Sequence, residues 1–319
     1  SCPRHRRHAL GRATGHALDS HPLPQAKGHL PMIGRRVKWL LPAVIACTMA
    51  VILFAGHRQK AHQQAELLAK LQQIVRIGNE PELSCREIVT EQPLVLLALG
   101  QSNAANHGAG VKPGAHAITL VVEGKCVTAT DPLPGATGRG GSIWQRLPDA
   151  LRERVHGKPI VLSVLAVDAS SIAEWTSQDS ALRQRLLEQL ATLRQLGLPP
   201  NFVLWQQGES DARLATSGRD YSRQLDALAA TISEAGIAAP IILARSTICR
   251  SAPAEEIRRA IESKAANDQR FRLGPDTDLL SGEGFRHDGC HLSIDGLTSA
   301  ARMWAAAISD HAYKTSAPP

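Results

Sequence analysis

The chain has 319 residues, with 36 Lys and Arg against 29 Asp and Glu and a formal charge of +7. Ten of the basic residues and one acid, Asp19, lie in residues 1–60, so residues 61–319 hold 26 basic against 28 acidic residues. This larger part has no excess of basic charge to follow a phosphate backbone, which excludes nucleic-acid binding as the main function. A body of about 230 to 250 residues is long enough for one large core, so disorder is excluded for most of the chain.

Residues 1–38 combine His, Arg, Gly and Pro with few large apolar side chains. Such a composition buries too little apolar surface to offset the entropy of ordering the chain, so we predict a disordered basic segment. Met32 lies just before Arg35, Arg36 and an apolar run. We expect the natural chain to start either there or upstream.

The segment 39–56 contains no charged residue over 18 positions. As a helix it would be about 27 Å long at ~1.5 Å per residue, close to the hydrocarbon thickness of a bilayer. We predict a transmembrane anchor with its N-terminus in the cytoplasm, because basic residues precede the run, and with the rest of the chain outside, in the periplasm or the extracellular space. A cleaved signal peptide would give a secreted protein instead. A buried core helix is a third interpretation, although such helices are rarely apolar on every face.

Residues 57–84 are predicted to form a stalk helix and linker. Apolar residues such as Leu67, Leu71 and Ile74 recur at helical spacing on one face, which indicates a stalk helix or a docking helix. Gly78 and Pro81 are expected to end the helix, because Gly permits a left-handed cap and Pro cannot continue it.

Four cysteines follow the anchor: Cys85, Cys126, Cys249 and Cys290. If this part of the chain lies outside the cytoplasm, two disulfides can form, and three pairings are possible. We favour Cys85 with Cys126 and Cys249 with Cys290, and four buried thiols are the alternative.

Short, continuous apolar runs predict strands that are buried on both faces of a sheet. The runs are residues 93–99, 159–167, 202–205 and 240–244. Amphipathic stretches between them predict helices at 143–155, 181–196, 217–235, 254–266 and 296–311. This alternation predicts an α/β fold, a doubly wound (flavodoxin-like) parallel sheet with helices on both faces, in a domain at 85–313 followed by a tail at 314–319.

Ligand sites in such sheets form at the carboxyl ends of the strands, so the residues after each apolar run are candidates. A Gly-Gln-Ser-Asn turn at 100–103 follows the first strand. A serine on a tight turn beside a glycine can act as a nucleophile, although this turn lacks the second Gly of the usual hydrolase elbow. A second polar turn, Trp-Gln-Gln-Gly-Glu-Ser-Asp at 205–211, follows the strand at 202–205.

A third motif lies just before the last predicted helix, where Asp288 and His291 are three residues apart. The carboxylate of such a pair can accept a hydrogen bond from one imidazole nitrogen while the other nitrogen takes a proton from a serine.

These three motifs, in this order and spacing, resemble those of the SGNH hydrolases, and in particular the branch of carbohydrate acetylesterases and sialate O-acetylesterases. The resemblance covers about residues 85–312. It implies a serine esterase that removes O-acetyl groups from a carbohydrate, of the sialate or xylan type, with no metal and no organic cofactor.

The resemblance also implies roles for single residues. Ser102 would be the nucleophile, His291 the general base and Asp288 the group that orients the base. Glu209 is an alternative triad acid, but in a tight turn it is expected to bond nearby backbone N–H groups. The possible supporting residues are Gln101, Asn103 and Glu209.

An oxyanion hole is implied in the same way. It would consist of the backbone N–H of Ser102, the backbone N–H of Gly140 and the side-chain amide of Gln207. Gly138 and Gly141 are alternatives for the glycine.

Two further segments carry weaker patterns. Residues 167–175 resemble a family segment whose final Glu-Trp pair lines the pocket, but Ala-Ser stands where relatives often carry two glycines. His287, Cys290 and His291 are potential zinc ligands, but their spacing is not that of a zinc finger and a fourth partner is missing.

Two other classes of function stay open at this stage. One is a membrane-tethered glycan-binding protein with an inactive hydrolase fold, and the other is an acyltransferase or thioesterase with the same triad. The expected partners are an O-acetylated glycan or small acetylated sugar and, through the N-terminal helix, a membrane. No loop specifies which sugar is bound, and the oligomeric state is not encoded in any pattern.

Overall fold

The computed structural model describes residues 37–111, 116–152, 154–155 and 157–316, with side chains described from residue 45 to residue 312. The chain divides into two compact units, residues 1–57 and residues 58–319. Most of the basic segment predicted at 1–38 lies outside the described residues.

The anchor predicted at 39–56 falls in the helix α1, Val37–Leu71. Within the part of the chain that is described, no helix is both long and apolar enough to cross a membrane. The side chains of residues 39–44 lie outside that part.

Eight strands and nine α-helices occur among the described residues. The strands are β1 (Glu82–Leu83), β2 (Leu94–Gly100), β3 (Ile118–Val122), β4 (Lys125–Ala129), β5 (Ile160–Ala166), β6 (Phe202–Gln206), β7 (Ile241–Arg245) and β8 (Phe271–Asp276). The helices after α1 are α2 (Cys85–Thr90), α3 (Leu147–Arg152), α4 (Ile172–Thr176), α5 (Ala181–Gln195), α6 (Glu209–Arg213), α7 (Gly218–Glu234), α8 (Glu255–Asn267) and α9 (Ile294–Ser316).

The strands form one sheet in the order β1-β4-β3-β5-β2-β6-β7-β8. Every neighbouring pair from β3 to β8 is parallel, and only β4 with its neighbours β1 and β3 is antiparallel. The five strands β5-β2-β6-β7-β8 follow the chain order 2-1-3-4-5 of doubly wound flavodoxin-like sheets. The predicted parallel sheet is observed from β3 to β8, and the antiparallel strands β4 and β1 extend it at one edge.

Alternate residues of β2 belong to two different core clusters, because successive side chains of a strand point to opposite faces of the sheet. One cluster includes α5, α7 and α8, and the other includes α3 and α9. The β2 residues of the first cluster are Val95, Leu97 and Leu99, and those of the second are Leu94, Leu96 and Ala98. Burial on both faces explains the continuous apolar run, and each fully buried leucine contributes about 1.5 to 3 kcal/mol.

Four predicted strands and four predicted helices match observed elements, but several short elements were not predicted. The β3–β4 hairpin turns at Glu123 and Gly124, which both have positive φ as a two-residue hairpin turn requires. Strand β8 lies at the sheet edge and carries Gly274 and Pro275. Both residue types are unfavourable in central strands, so the sequence of β8 does not resemble a strand. The helix predicted at 143–155 is reduced to α3, Leu147–Arg152.

Helix α1 ends at Leu71, six residues before the predicted end of the stalk helix at residue 77. Leu67 and Ile74 are buried in the core cluster that contains α5 and α7. Val75 exchanges backbone hydrogen bonds with the segment that precedes β5, its N–H donating to Ala136 O and its carbonyl accepting from Gly135 N, both at 2.9 Å. This packing agrees with the docking-helix interpretation for these residues.

Both predicted disulfides are confirmed. Cys85–Cys126 joins the start of α2 to β4, and Cys249–Cys290 joins the segment after β7 to the loop before α9. Each bond connects cysteines that are 41 residues apart in the sequence.

Candidate active site

Three loops meet at the carboxyl ends of β2 and β6: residues 101–107, residues 207–211 and residues 286–293. The strand order reverses between these two neighbouring strands, which is where doubly wound sheets bind their ligands. Hydrogen bonds join the loop 101–107 to both of the other loops. Asn103 bonds to residues of both, and Gln101 bonds to Gln207.

Two glycines allow the strand ends to approach each other closely. Gly100 ends β2 with φ +148°, and a Cβ atom there would lie 2.0 Å from the carbonyl oxygen of Gln206. Gly208 follows β6 with φ +155°, and its Cβ would lie 2.5 Å from Ser246 O. A side chain at either position would force the strands apart, so both positions require glycine.

Ser102 begins a short 3₁₀ turn, Ser102–Ala104, directly after β2. Backbone hydrogen bonds from Ala104 N to Gln101 O at 2.8 Å and from Ala105 N to Ser102 O at 3.0 Å close this turn. Ser102 is buried, with 5% of its surface exposed.

The side-chain amide of Asn103 joins the serine turn to the other two loops. Its Nδ2 donates to Glu209 Oε1 at 2.8 Å and to Cys290 O at 3.2 Å. Its Oδ1 accepts from Leu292 N at 3.3 Å. Because Cys290 and Leu292 flank His291, Asn103 holds the segment of His291 beside the turn of Ser102.

His291 and Asp288 form the hydrogen-bonded pair that the sequence predicts. His291 Nδ1 lies 2.8 Å from Asp288 Oδ2, and Asp288 Oδ1 accepts from the backbone N–H groups of Cys290 at 2.9 Å and His291 at 2.7 Å. Burial acts to raise the pKa of Asp288, but these hydrogen bonds outweigh it and lower the pKa well below its usual value. The carboxylate therefore stays ionised and can stabilise a protonated His291.

Two other histidines stack against His291. The ring centroids of His107 and His291 are 5.4 Å apart, and those of His287 and His291 are 6.1 Å apart. Burial lowers the pKa of His107, and the neighbouring His291 adds to this while Asp168 opposes it. His107 is thus kept neutral beside the predicted general base, and its Nε2 lies 3.3 Å from Thr137 Oγ1.

Gln207 is fully buried, and its side-chain amide is bonded within the protein. Its Nε2 donates to Gln101 Oε1 at 3.2 Å, Ser170 O at 3.0 Å and Asp211 Oδ2 at 2.6 Å. Three acceptors around one NH₂ group leave no proton directed at a ligand. The structure therefore does not present the amide as the oxyanion donor that the sequence predicts.

The three glycines at 138–141 differ in the bonds of their N–H groups. Gly140 N donates to Asn106 O at 2.7 Å and Gly141 N donates to Gly108 O at 3.1 Å, so both groups stabilise the loop. Gly138 donates no backbone hydrogen bond to the described part of the chain. A Cβ on Gly138 would lie 2.8 Å from the His107 ring, which places this glycine beside the stacked histidines. The arrangement favours Gly138 over the predicted Gly140.

Glu209 is a buried carboxyl group with an unusual pKa. Its Oε1 accepts from Asn103 Nδ2 at 2.8 Å and from Ser246 Oγ at 2.7 Å, whereas its Oε2 is buried and has no hydrogen-bond partner among the described residues. Burial raises its pKa to about 7 although both hydrogen bonds act in the opposite direction. Glu209 is bonded to Asn103 and not to His291, so its contacts are those of a supporting residue.

Several residues that shape the site were not predicted from the sequence. Ser246 directly follows β7, so the rule for carboxyl ends of strands could have found it. The buried Arg286 donates to four backbone carbonyls around the His291 loop, and no short motif predicts this role. These carbonyls belong to Thr277, Leu280, Ile248 and Cys290.

The segment 167–175 does not present its Glu-Trp pair to a ligand. Trp175 is fully buried, and its Nε1 donates to Ser170 Oγ at 3.0 Å. Glu174 Oε2 accepts from the backbone N–H of Ser171 at 2.7 Å and so caps α4. Both side chains stabilise the local fold, which corrects the interpretation of a pocket lining.

The model of a protein family described as "SASA: Carbohydrate esterase, sialic acid-specific acetylesterase" matches residues 92–310. No curated protein shows significant sequence similarity to the chain.

Solved structures are similar to this chain at low sequence identity. A protein from Arabidopsis thaliana is 19% identical with a TM-score of 0.55, and the match covers 70% of this chain and 99% of that one. A carbohydrate acetylesterase from Xanthomonas citri is 15% identical with a TM-score of 0.48, over 69% of this chain and 56% of that one. A family 3 carbohydrate esterase from Clostridium thermocellum is 13% identical with a TM-score of 0.47, over 70% and 100%.

The two disulfides provide a matched pair for testing the site. Because both span 41 residues, loop entropy predicts a similar loss of about 4 kcal/mol in unfolding free energy when either is removed. Only Cys249–Cys290 holds the loop of Asp288 and His291. We expect C249A/C290A to lower kcat for p-nitrophenyl acetate and C85A/C126A to leave it near wild type, at a temperature where both variants are folded by urea titration. Equal kcat values for the two folded variants would contradict this role.

The raised pKa of Glu209 predicts a pH-dependent stability. Between its usual pKa of 4.5 and its folded pKa of about 7, the folded state binds more protons at this site than the unfolded state. The contribution of Glu209 to the free energy of unfolding is therefore fully present below pH 4.5 and is lost as the pH rises through 7. Glu209→Gln resembles the protonated acid but does not titrate, so its stability does not fall for this reason.

We thus expect the unfolding free energy of Glu209→Gln, relative to wild type, to increase across this window. Urea titrations at a series of pH values measure the difference. A difference that does not change with pH would show that Glu209 titrates normally.

Proposed function

This chain belongs to the carbohydrate esterase family of sialic acid-specific acetylesterases, and on that premise we propose that Ser102, His291 and Asp288 are its catalytic triad. Members of this family are carboxylic ester hydrolases, and the proposal assigns the chemical step to residues of this chain. The observation that carries it is the pair of contacts around His291: the 2.8 Å bond to Asp288 and the Asn103 bonds that hold its flanks beside the Ser102 turn.

In the proposed acylation step, Ser102 Oγ attacks the acetyl carbonyl carbon and His291 takes the hydroxyl proton. Asp288 accepts from Nδ1, fixes the imidazole so that Nε2 is the basic nitrogen, and stabilises the imidazolium ion that forms. The tetrahedral intermediate then collapses, and His291 returns the proton to the leaving sugar oxygen. A water molecule, activated by His291 in turn, attacks the acetyl-serine ester and releases acetate.

Backbone N–H groups are better supported than Gln207 as donors to the oxyanion. We propose the N–H groups of Ser102 and Gly138, since Gly138 lies beside His107 in the stack that contains His291. Removal of one such donor typically costs about 2.7 to 4 kcal/mol of transition-state stabilisation. Gln207 acts indirectly in this proposal, because its bonds to Gln101 and Ser170 connect the loops that follow β2 and β5.

The proposed substrate is an O-acetylated sugar, and the family description favours an acetylated sialic acid. Acetate release from purified O-acetylated sialic acid, acetylated xylan and acetylated cell-wall glycans would rank these substrates by kcat/KM. Transfer of the acetyl group to a second sugar would instead identify an acyltransferase.

The two disulfides support a domain located outside the cytoplasm, because such bonds persist in oxidising compartments. The proposed location is the periplasm or the extracellular space. The anchor at 39–56 and its alternative, a cleaved signal peptide, stay predictions.

Substitutions in the triad test the proposal. Ser102→Ala and His291→Ala should each reduce kcat for p-nitrophenyl acetate by about 10³-fold or more, and Asp288→Asn by up to about 10⁴-fold, because the imidazole loses its orienting carboxylate. The exposed Ser177 provides the matched control, and Ser177→Ala should retain wild-type activity. Unchanged hydrolysis by folded Ser102→Ala would refute the proposed mechanism.

A further inference from the structure

The loop that carries the proposed base and acid also holds a second imidazole, that of His287, which is exposed. Arg286 and Leu292 form an antiparallel bridge, and His287 N donates to His291 O at 3.0 Å just inside it. Residues that face each other in an antiparallel pair project their side chains to the same side. The two imidazoles of His287 and His291 therefore lie side by side, with ring planes inclined by 29°.

This hairpin loop is held rigidly before any ligand binds. Gly289 has φ +77° at its tip and accepts a hydrogen bond from Arg250 N at 2.8 Å. The disulfide of Cys290 attaches the loop covalently to the segment after β7. A rigid loop lowers the entropy cost of bringing ligating side chains together around an ion.

Asp288 completes a set of three ligating side chains with these histidines. One ligand atom from each of His287, Asp288 and His291 lies within 4.8 Å of the other two. Metal bonds to imidazole nitrogen and carboxylate oxygen are about 2.0 to 2.2 Å, so two ligands of one ion lie at most about 4 Å apart. A rotation of the exposed His287 side chain can shorten the distance between the ligand atoms to the value that one ion requires.

The chemistry of the donors selects the class of ion. Two imidazoles and one carboxylate suit Zn²⁺, Cu²⁺ and Ni²⁺, whereas Mg²⁺ prefers oxygen ligands and keeps its water. Arg250 Nη2 lies 3.3 Å from Asp288 Oδ2 and would compete with an ion. Because the Arg250 side chain is 68% exposed, it can turn into solvent at little cost.

We propose that His287, Asp288 and His291 form a binding site for a divalent transition metal such as zinc, and that an ion bound there reversibly inhibits the enzyme. The ion takes the lone pairs of Asp288 and His291, so the carboxylate no longer orients the imidazole and the imidazole no longer accepts the serine proton. Binding of the ion follows from the loop alone, while its inhibitory effect rests on the proposed function.

The test uses the purified full chain, freed of metal by a chelator, and zinc chloride as the probe. Zinc inhibition of p-nitrophenyl acetate hydrolysis is compared among wild type, His287→Gln and His311→Gln. The last is a matched control at a histidine of α9 whose Nε2 lies 3.0 Å from Leu273 O. Five histidines precede residue 37 and also supply imidazole, so bound zinc is measured as the difference between variants by competition with a chromophoric chelator.

We expect zinc to inhibit wild type and His311→Gln alike, EDTA to restore activity, and magnesium chloride to have no effect. Loss of even an outer-shell partner costs about 10- to 100-fold in metal affinity, so His287→Gln should need at least about tenfold more zinc for half-inhibition. Its activity without zinc should stay close to wild type. Equal zinc sensitivity of His287→Gln and wild type would overturn the proposal.

The binding measurement separates this proposal from the proposed mechanism. Ser102→Ala should bind zinc as tightly as wild type, and His287→Gln should bind zinc at this site at least about tenfold more weakly. If wild type shows no esterase activity, the proposed function fails, and the same comparison of bound zinc still decides whether the site exists. Identical zinc binding by wild type and His287→Gln would exclude the site.

Discussion

The side-chain amide of Asn103 is the contact on which the geometry of the site depends. It donates to Glu209 and to the backbone before His291, and it accepts from the backbone after His291. Only an amide can donate and accept in this way, and an aspartate of the same shape would place a second carboxylate against Glu209. Each buried bond contributes about 0.5 to 1.5 kcal/mol net, and an unsatisfied partner costs about 1 to 3 kcal/mol. The serine turn and the histidine loop, nearly 190 residues apart in sequence, are thus held in one arrangement.

The rest of the fold prepares the position for this contact. The reversal of strand order brings the ends of β2 and β6 together, and Gly100 lets the end of β2 lie against the backbone of Gln206. On the opposite side, the Cys249–Cys290 disulfide and the carbonyl contacts of Arg286 fix the loop before α9. Catalysis by a triad gains from such fixed geometry because no conformational search precedes the reaction. The same rigidity brings His287 beside His291 and makes the loop suitable for a metal ion.

The sequence predicts the central sheet well because its strands are apolar on both faces. A continuous apolar run such as β2 is typical of a strand that helices cover on both sides. The sequence also predicts both disulfides and the Asp288–His291 bond. The edge strand β8 was missed because it carries Gly274 and Pro275, and the β3–β4 hairpin was missed because its strands have only five residues each. The role of Gln207 could not be foreseen, since its bonds to Ser170 and Asp211 depend on how distant loops pack. For the same reason, the burial that raises the pKa of Glu209 to about 7 has no signal in the motif.

Covalent labelling by a fluorophosphonate tests the central claim most directly, because the probe reacts only with a serine activated by a neighbouring base. We expect one labelled peptide, modified at Ser102, in the wild-type chain. Labelling should be absent in Ser102→Ala and slower in a folded Asn103→Ala variant, in which the His291 loop loses its tie to the serine turn. A wild-type chain that is not labelled, or is labelled at another serine, would contradict the account, as would an Asn103→Ala variant that is labelled at the wild-type rate.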